Sequence, residues 1–144
     1  MINDVMNLEN WQRWVPITGL AEKYDVIHIS NNMVKDFKIV LVDEINKENQ
    51  IQLIFEKSID AYRLTYDSFR ENTYSQLYEK YGFDFYHKWS FFRVYNSEYI
   101  KTLYDETEID INTLQLIHFC ILSSELVIDI IASYDPKVEP LIND

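Results

Sequence analysis

The chain has 144 residues, of which 47% are apolar and 26% charged, a balance typical of one globular domain spanning 1–144. Its two glycines, Gly19 and Gly82, are too few and too far apart for a glycine-rich phosphate loop or a dinucleotide-binding fingerprint. The formal net charge of −11 disfavours direct binding to nucleic acid or to an anionic membrane surface, and it favours a basic protein partner.

Cys120 is the single cysteine, so the chain cannot form an internal disulfide or a thiolate metal cluster. Its position in an apolar run predicts a buried, unreactive thiol. The first residues lack a basic region followed by an apolar stretch, and no run of about 18 apolar residues is present. These features predict a cytoplasmic protein that does not span a membrane.

The first half of the chain is predicted to begin with a helix and to continue in strands. Residues 4–14 place apolar side chains at helical spacing and are followed by Pro16, which predicts a short helix. Runs of β-branched and apolar residues then predict strands at 25–30, 37–45 and 51–55, the last two forming a hairpin.

Residues 60–67 alternate strictly in type. Tyr62, Leu64 and Tyr66 fall on one face, and Arg63, Thr65 and Asp67 fall on the other. Alternation with a period of two predicts a strand with one buried face.

The second half mixes helices and strands. Residues 71–81 carry aromatic and aliphatic side chains at helical spacing and end at Gly82, which predicts an amphipathic helix. Asn96-Ser97 supplies an N-cap for a helix through Leu103. Strands are predicted at 89–95, 116–122 and 126–132, the last two joined at 123–125, with a helix as the alternative for 126–132.

These elements predict an α+β domain. Its core would be a mainly antiparallel sheet of about six or seven strands, with two or three short helices.

Catalytic and metal-binding patterns are weak in this sequence. The acidic clusters fall at strand ends or in loops, where neighbouring exposed carboxylates lack the differing environments that acid–base catalysis needs. No two of the histidines, His28, His87 and His118, have the spacing of a helical zinc motif. Cys120 and His118 share a predicted strand face, but their side chains would run parallel rather than converge. No cofactor or metal is predicted.

Arg63 faces away from the aromatic side of its predicted strand, and Arg70 follows closely. The simplest interpretation of Arg63 is a sheet-surface arginine paired with an acid on a neighbouring strand. The alternative is an anchor for an acidic patch on a partner.

Charge is concentrated in one stretch. Residues 102–136 contain seven acids and no lysine or arginine, so they carry −7 of the net −11. Acids interleaved with tyrosines suit a basic partner, because aromatic rings supply contact area and carboxylates pair with lysine and arginine. The partner-binding residues predicted here are Tyr104, Asp105, Glu106, Glu108, Asp110 and Asp129.

Several stretches together resemble a known group of proteins. They are Trp14-Val15-Pro16-Ile17-Thr18-Gly19-Leu20, Ala61-Tyr62-Arg63-Leu64-Thr65, Asn96-Ser97-Glu98-Tyr99-Ile100, His118-Phe119, Ile128-Asp129-Ile130-Ile131 and Pro136-Lys137-Val138-Glu139. The set resembles an uncharacterised family of small acidic cytoplasmic proteins from Gram-positive bacteria. In size, acidity and aromatic content it is also similar to the immunity proteins (antitoxins) of polymorphic toxin systems.

The leading functional hypothesis is a non-enzymatic immunity protein that neutralises a basic effector, such as a nuclease toxin, by covering its cationic cleft with carboxylates. One alternative is a small enzyme or ligand-binding protein whose site assembles from His118, His87 and a nearby carboxylate. A further alternative is a homo-oligomeric structural protein in which tyrosines cover each other at a two-fold interface.

Overall fold

The computed structural model describes residues 8–141. Within that range the chain forms nine strands and three α-helices. The strands are β1 (Asn10–Arg13), β2 (Tyr24–Asn32), β3 (Asp36–Asp43), β4 (Gln50–Phe55), β5 (Ala61–Tyr66), β6 (Phe91–Tyr95), β7 (Ile117–Leu122), β8 (Leu126–Ala132) and β9 (Lys137–Leu141). The helices are α1 (Glu71–Tyr81), α2 (Phe83–His87) and α3 (Glu98–Asp105).

The strands form two antiparallel sheets. One has five strands in the order β1-β6-β7-β8-β5, and the other has four in the order β2-β3-β4-β9. The predicted α+β class is therefore confirmed. The chain, however, builds nine strands in two sheets rather than six or seven in one, because β1 and β9 carry no strong strand pattern and were not predicted.

The main core lies between the two sheets. Alternating residues of β3 and β4, including Ile39, Leu53 and Phe55, pack against Phe119 and Ile130 of the five-stranded sheet. We call the side of the five-stranded sheet that faces this core its inner face. All five side chains are essentially inaccessible to solvent, so this core holds the two sheets together.

A second core covers the opposite, outer face of the five-stranded sheet. Leu77 of α1 packs there with Phe92, Cys120 and Val127, and aromatic side chains of α1 and α2 surround them. Helix α1 ends at Gly82, whose φ of +89° lies in the region that favours glycine. The predicted helix over 71–81 and the inert position of Cys120 are thus both found in the structure.

Two predictions about local structure are wrong. Residues 10–13 form an edge strand paired with β6 rather than the end of a helix, and residues 4–7 lie outside the described part of the chain. Residues 61–66 do form a strand, but its aromatic face is not buried: Tyr62, Leu64 and Tyr66 are 41%, 45% and 58% exposed. Among residues 8–141, strand β5 pairs only with β8, so it lies at a sheet edge where its side chains are incompletely covered.

The prediction of a strand at 126–132 is confirmed, and the helical alternative is excluded. β8 lies between β7 and β5 in the sheet. None of the helices among residues 8–141 combines the length and the apolar character that crossing a membrane requires.

Candidate functional site

A cluster of mainly buried polar side chains lies on the outer face of the five-stranded sheet. We define the buried polar cluster as Ser97, His118, Asp129 and Arg70, together with Arg63, whose side chain is 44% exposed. Side chains alternate along β7 and β8, so His118 and Asp129 fall on the face opposite the inter-sheet core. Asp129 lies directly opposite Arg63 on β5, so the register of these two strands brings the carboxylate and the guanidinium group together.

Asp129 is the centre of the buried polar cluster. Its Oδ1 lies 2.7 Å from Nε2 of His118, and its Oδ2 accepts hydrogen bonds from Nε of Arg63 and Nη1 of Arg70, each at 2.7 Å. Its side chain is fully buried. The cross-strand ion pair predicted as the simplest role of Arg63 is therefore present, and Arg70 adds a second one.

His118 connects this carboxylate to helix α3. Its Nδ1 lies 2.7 Å from Oγ of Ser97, the N-cap of α3, and that oxygen accepts a hydrogen bond from N–H of Ile100 at 3.1 Å. Because an ionised Asp129 can only accept, Nε2 of His118 donates the hydrogen bond between them. The predicted N-cap is thus confirmed and is joined to the sheet.

The electrostatics of the cluster favour an ionised Asp129. Burial alone would raise the pKa of this carboxyl, but the hydrogen bond and the charge of His118, followed by the charges of Arg70 and Arg63, outweigh it, so the pKa lies well below its usual range. Burial and the neighbouring Asp129 raise the pKa of the Cys120 thiol well above its ordinary value. Cys120 is therefore a neutral thiol beside a carboxylate.

The order Ser97–His118–Asp129 resembles a hydrolase triad in its hydrogen bonds, but its surroundings are those of a structural link. Ser97 is 4% exposed, and its oxygen is already used to cap α3. The edge of the Tyr99 ring meets His118, and Arg63 lies over the same ring with its guanidinium carbon 4.2 Å from the centroid. His118 itself is 2% exposed, so a substrate would not reach its ring in this structure.

His118, Cys120 and Asp129 also place three ligand-type atoms within 4.8 Å of one another. The donor set does not suit a metal ion, because both oxygens of Asp129 already accept hydrogen bonds and two guanidinium groups lie at 2.7 Å from one of them. The thiol is also held in its protonated form. We therefore assign these three side chains to hydrogen bonding and packing.

The structure places the predicted partner-binding residues in two different environments. Asp129 does not lie on the surface, and its assignment as a partner contact is wrong, because its position in the centre of β8 buries it among His118 and the two arginines. The others lie on the last turn of α3 and in the segment after it. We define the acidic segment as residues 104–110, in which Tyr104 is half-buried and Asp105, Glu106, Glu108 and Asp110 are exposed.

The alternative site of His118, His87 and a carboxylate is only partly assembled. His118 does meet Asp129, but His87 is an exposed residue of α2 that stacks on Phe83. Ser97 and Arg70 were not foreseen as members of the buried polar cluster. The one signal in the sequence was a histidine and an aspartate at outward positions of two otherwise apolar strands.

His87 instead lines an open cavity of about 690 Å³ at one end of the molecule. This cavity lies where the start of β2, helices α1 and α2 and the β7–β8 turn meet. We call it the Lys23 cavity after the lysine in its wall. A second cavity of about 520 Å³ lies between the β2–β3 turn and residues 56–62.

Comparisons with protein-family models, with curated proteins and with solved structures found no match to this chain. Its function is therefore argued from the geometry of these sites.

Replacement of Asp129 by asparagine tests the structural role of the buried polar cluster. Asp129→Asn keeps the shape of the side chain but leaves Arg70 and Arg63 facing a neutral amide, so we expect the free energy of unfolding to fall by about 3–5 kcal/mol. Urea unfolding followed by circular dichroism measures the change. The matched control is Asp135→Asn, which removes an exposed ion pair with Arg93 and should change stability by less than about 1 kcal/mol. Equal effects of the two substitutions would refute the central role of Asp129.

The depressed pKa of Asp129 also predicts acid sensitivity. The folded protein holds this carboxylate ionised below the unfolded-state pKa of about 3.9, so the stabilisation is fully present above that pH and is lost as the pH falls towards the lower folded-state pKa. Unfolding measured from neutral pH down to about pH 2 should therefore show a steeper loss for the wild type than for Asp129→Asn. Parallel pH profiles would contradict the assignment.

Proposed function

We propose that this protein is a non-enzymatic, cytoplasmic protein-binding protein of the immunity (antitoxin) type. It neutralises a basic effector, such as a nuclease toxin, by covering the cationic cleft of that effector. The observation that carries this proposal is the acidic segment, in which four exposed carboxylates follow one another after α3. The partner would then meet carboxylates in place of the phosphates that a nuclease cleft binds.

The acidic segment is poorly neutralised by its neighbours. Among residues 8–141, Asp105, Glu106 and Glu108 form no ion pair, whereas Glu98 at the start of α3 pairs with Lys101. Three unneutralised carboxylates on a chain with a net charge of −11 create a local negative potential. Such a potential speeds the approach of a cationic surface and aligns it before contact.

Apolar side chains accompany these charges. Ile109 and Ile111 are 59% and 45% exposed, and Tyr104 is half-buried beside them in the chain. Protein interfaces commonly combine an apolar centre, which supplies most of the binding free energy, with a polar rim. The acidic segment offers both components within a few residues.

The buried polar cluster supports this function by fixing α3. Ser97 caps the helix and binds His118, and Tyr99 contacts both His118 and Arg63. The first turn of α3 is thereby attached to β7 and β5, so the helix that leads into the acidic segment has a defined position. A surface that is positioned before binding loses less conformational entropy on association.

A charge-neutralised variant tests the proposal. Asp105→Asn, Glu106→Gln, Glu108→Gln and Asp110→Asn are combined, and the partner is captured from extracts of the native host, identified by mass spectrometry and purified. We expect a basic protein whose association rate with the variant is at least about tenfold lower, with a weaker dependence on salt. Stopped-flow fluorescence at low and physiological ionic strength measures both quantities.

The control variant carries the same change in charge elsewhere, at the exposed residues Glu22, Glu48, Glu71 and Glu79. It separates the effect of the acidic segment from that of net charge. Equal association rates for the two variants would refute the location of the interface, and capture of an acidic partner would refute the electrostatic mechanism.

The exposed edge of the five-stranded sheet favours a second candidate, a homodimer. In the part of the chain that the structure describes, β5 has β8 as its one strand partner, and it exposes Tyr62, Leu64 and Tyr66 on one side. Edge strands with exposed apolar residues readily pair with a second strand, and two copies could pair antiparallel about a two-fold axis. The aromatic rings would then cover each other.

Light scattering coupled to size-exclusion chromatography tests this candidate. The wild type should dimerise as its concentration rises, and Leu64→Lys should remain monomeric because it places a charge in the centre of the contact. Tyr78→Lys, an exposed position on α1, is the control and should leave dimerisation unchanged. A wild type that stays monomeric at every concentration would exclude the homodimer.

A further inference from the structure

Lys23 has an unusual position for a lysine. It immediately precedes β2 and lines the Lys23 cavity together with side chains from α1, α2 and the β7–β8 turn. Its Nζ donates hydrogen bonds to two main-chain carbonyl oxygens, of Tyr86 at 2.8 Å and of Trp89 at 3.0 Å. No carboxylate lies within ion-pair distance of this nitrogen among the described residues, in contrast to Lys38, Lys88 and Lys137.

These hydrogen bonds leave one position on the nitrogen unused by protein atoms. Two carbonyl oxygens accept from Lys23. An –NH2 group would keep its lone pair, and an –NH3+ group its third N–H, free of a protein partner among residues 8–141. Carbonyl oxygens also stabilise a positive charge less than a carboxylate does, so the site holds the side chain in place without strongly favouring its charged form.

We propose that Lys23 is a nucleophilic amine and that the Lys23 cavity binds a small uncharged aldehyde or ketone, which Lys23 captures as a Schiff base. This activity is separate from the proposed partner surface on α3. The cavity of about 690 Å³ is large enough for such a molecule. Its wall also includes the ring of Tyr74 and the hydroxyls of Ser68 and Ser75, which can pack against and hydrogen-bond a small organic ligand.

The chemistry needs no further reagent. The Nζ lone pair attacks the carbonyl carbon, a C–N bond forms, and the carbonyl oxygen takes up a proton to give a carbinolamine. That oxygen then leaves as water, carrying away both hydrogens that the amine nitrogen held, and a C=N bond remains. No electrons are gained or lost overall, and the reaction is reversible by hydrolysis.

Burial favours the reactive form of the amine. It lowers the pKa of Lys23 to about 8, against the opposing charges of Glu44 and Asp25. The charged groups of the cavity wall are otherwise mainly acidic, namely Glu44, Asp67 and Glu71, with His87 beside them. These carboxylates should repel an anionic carbonyl compound, which is why the proposal specifies an uncharged one.

Reductive trapping on the intact protein tests the proposal. The wild type is treated briefly with propionaldehyde and cyanoborohydride at pH 7.5, and each lysine is quantified by peptide mass spectrometry. Lys23 should be labelled at least about tenfold faster than the exposed Lys57, because a pKa near 8 leaves far more neutral amine than the usual value of about 10.4. Labelling of Lys23 should saturate with aldehyde concentration and level off above about pH 8, whereas that of Lys57 should rise linearly with concentration and continue to rise with pH.

Two further comparisons test the cavity itself. Ser75→Trp fills the cavity from α1 and should slow the labelling of Lys23, whereas Asn72→Trp, on the same helix but outside the cavity wall, should not. Glyoxylate, an anionic aldehyde, should label Lys23 more slowly relative to Lys57 than propionaldehyde does. Because the wild-type measurement needs no variant, misfolding cannot obscure it. Labelling of Lys23 at or below the rate of Lys57 would overturn the proposal, and equal discrimination between the two aldehydes would overturn the ligand class.

Discussion

The fold depends on how one buried carboxylate is satisfied. Asp129 lies at the centre of β8 with no contact to solvent, and an unpaired charge there would be strongly destabilising. His118, Arg63 and Arg70 provide its partners from β7, from β5 and from the residue before α1. A single side chain therefore requires two neighbouring strands and the start of a helix to take up one arrangement, and any displacement of these elements would leave a charge unpaired.

This requirement also sets the position of α3. The helix has no fully buried side chain of its own, so packing alone fixes it weakly. Its attachment instead comes from the Ser97 cap, which binds His118, and from Tyr99, which lies between His118 and Arg63. Replacing the cluster by apolar residues could be neutral or even stabilising, but it would remove the directional contacts that orient α3. The cluster is thus better explained by the specificity of this arrangement than by a gain in stability.

The sequence was informative where a local pattern reflects a local cause. The β-branched and apolar runs at 37–45 and 51–55, the N-cap at Ser97 and the glycine after α1 each depend on neighbours in the chain, and the elements predicted from them are present in the structure. The alternating pattern of β5 was misleading about burial. Alternation shows that a strand has two different faces, but it does not distinguish a central strand from an edge strand. The helical spacing at 10–13 gave way to pairing with β6, a tertiary interaction that local periodicity does not contain.

The same limit applies to the sites. The count of acids in each segment placed Asp129 on the surface, because the net charge of a segment contains no information about burial. The same count placed Asp105 to Asp110 outside the core, where the structure has them. The contact between Asp129 and Arg63 depends on the register of β5 on β8. The hydrogen bonds from Lys23 to the carbonyls of Tyr86 and Trp89 depend on the packing of α2. Neither contact follows from the spacing of residues in one sequence.

Asp129, which is buried, and Lys23, which is half-buried, show that desolvation has opposite chemical consequences, depending on the partners of the ionisable group. Asp129 receives two guanidinium groups and a histidine, so its charged form is favoured despite desolvation and its carboxyl resists protonation. Lys23 donates to two neutral carbonyl oxygens and has no ion-paired carboxylate among the described residues, so desolvation outweighs the charges of Glu44 and Asp25 and lowers its pKa. Both oxygens of Asp129 accept hydrogen bonds from protein side chains, which suits a structural role. Lys23 instead lines an open cavity and keeps one position on its nitrogen unused by protein atoms, which is the arrangement that a reactive amine needs.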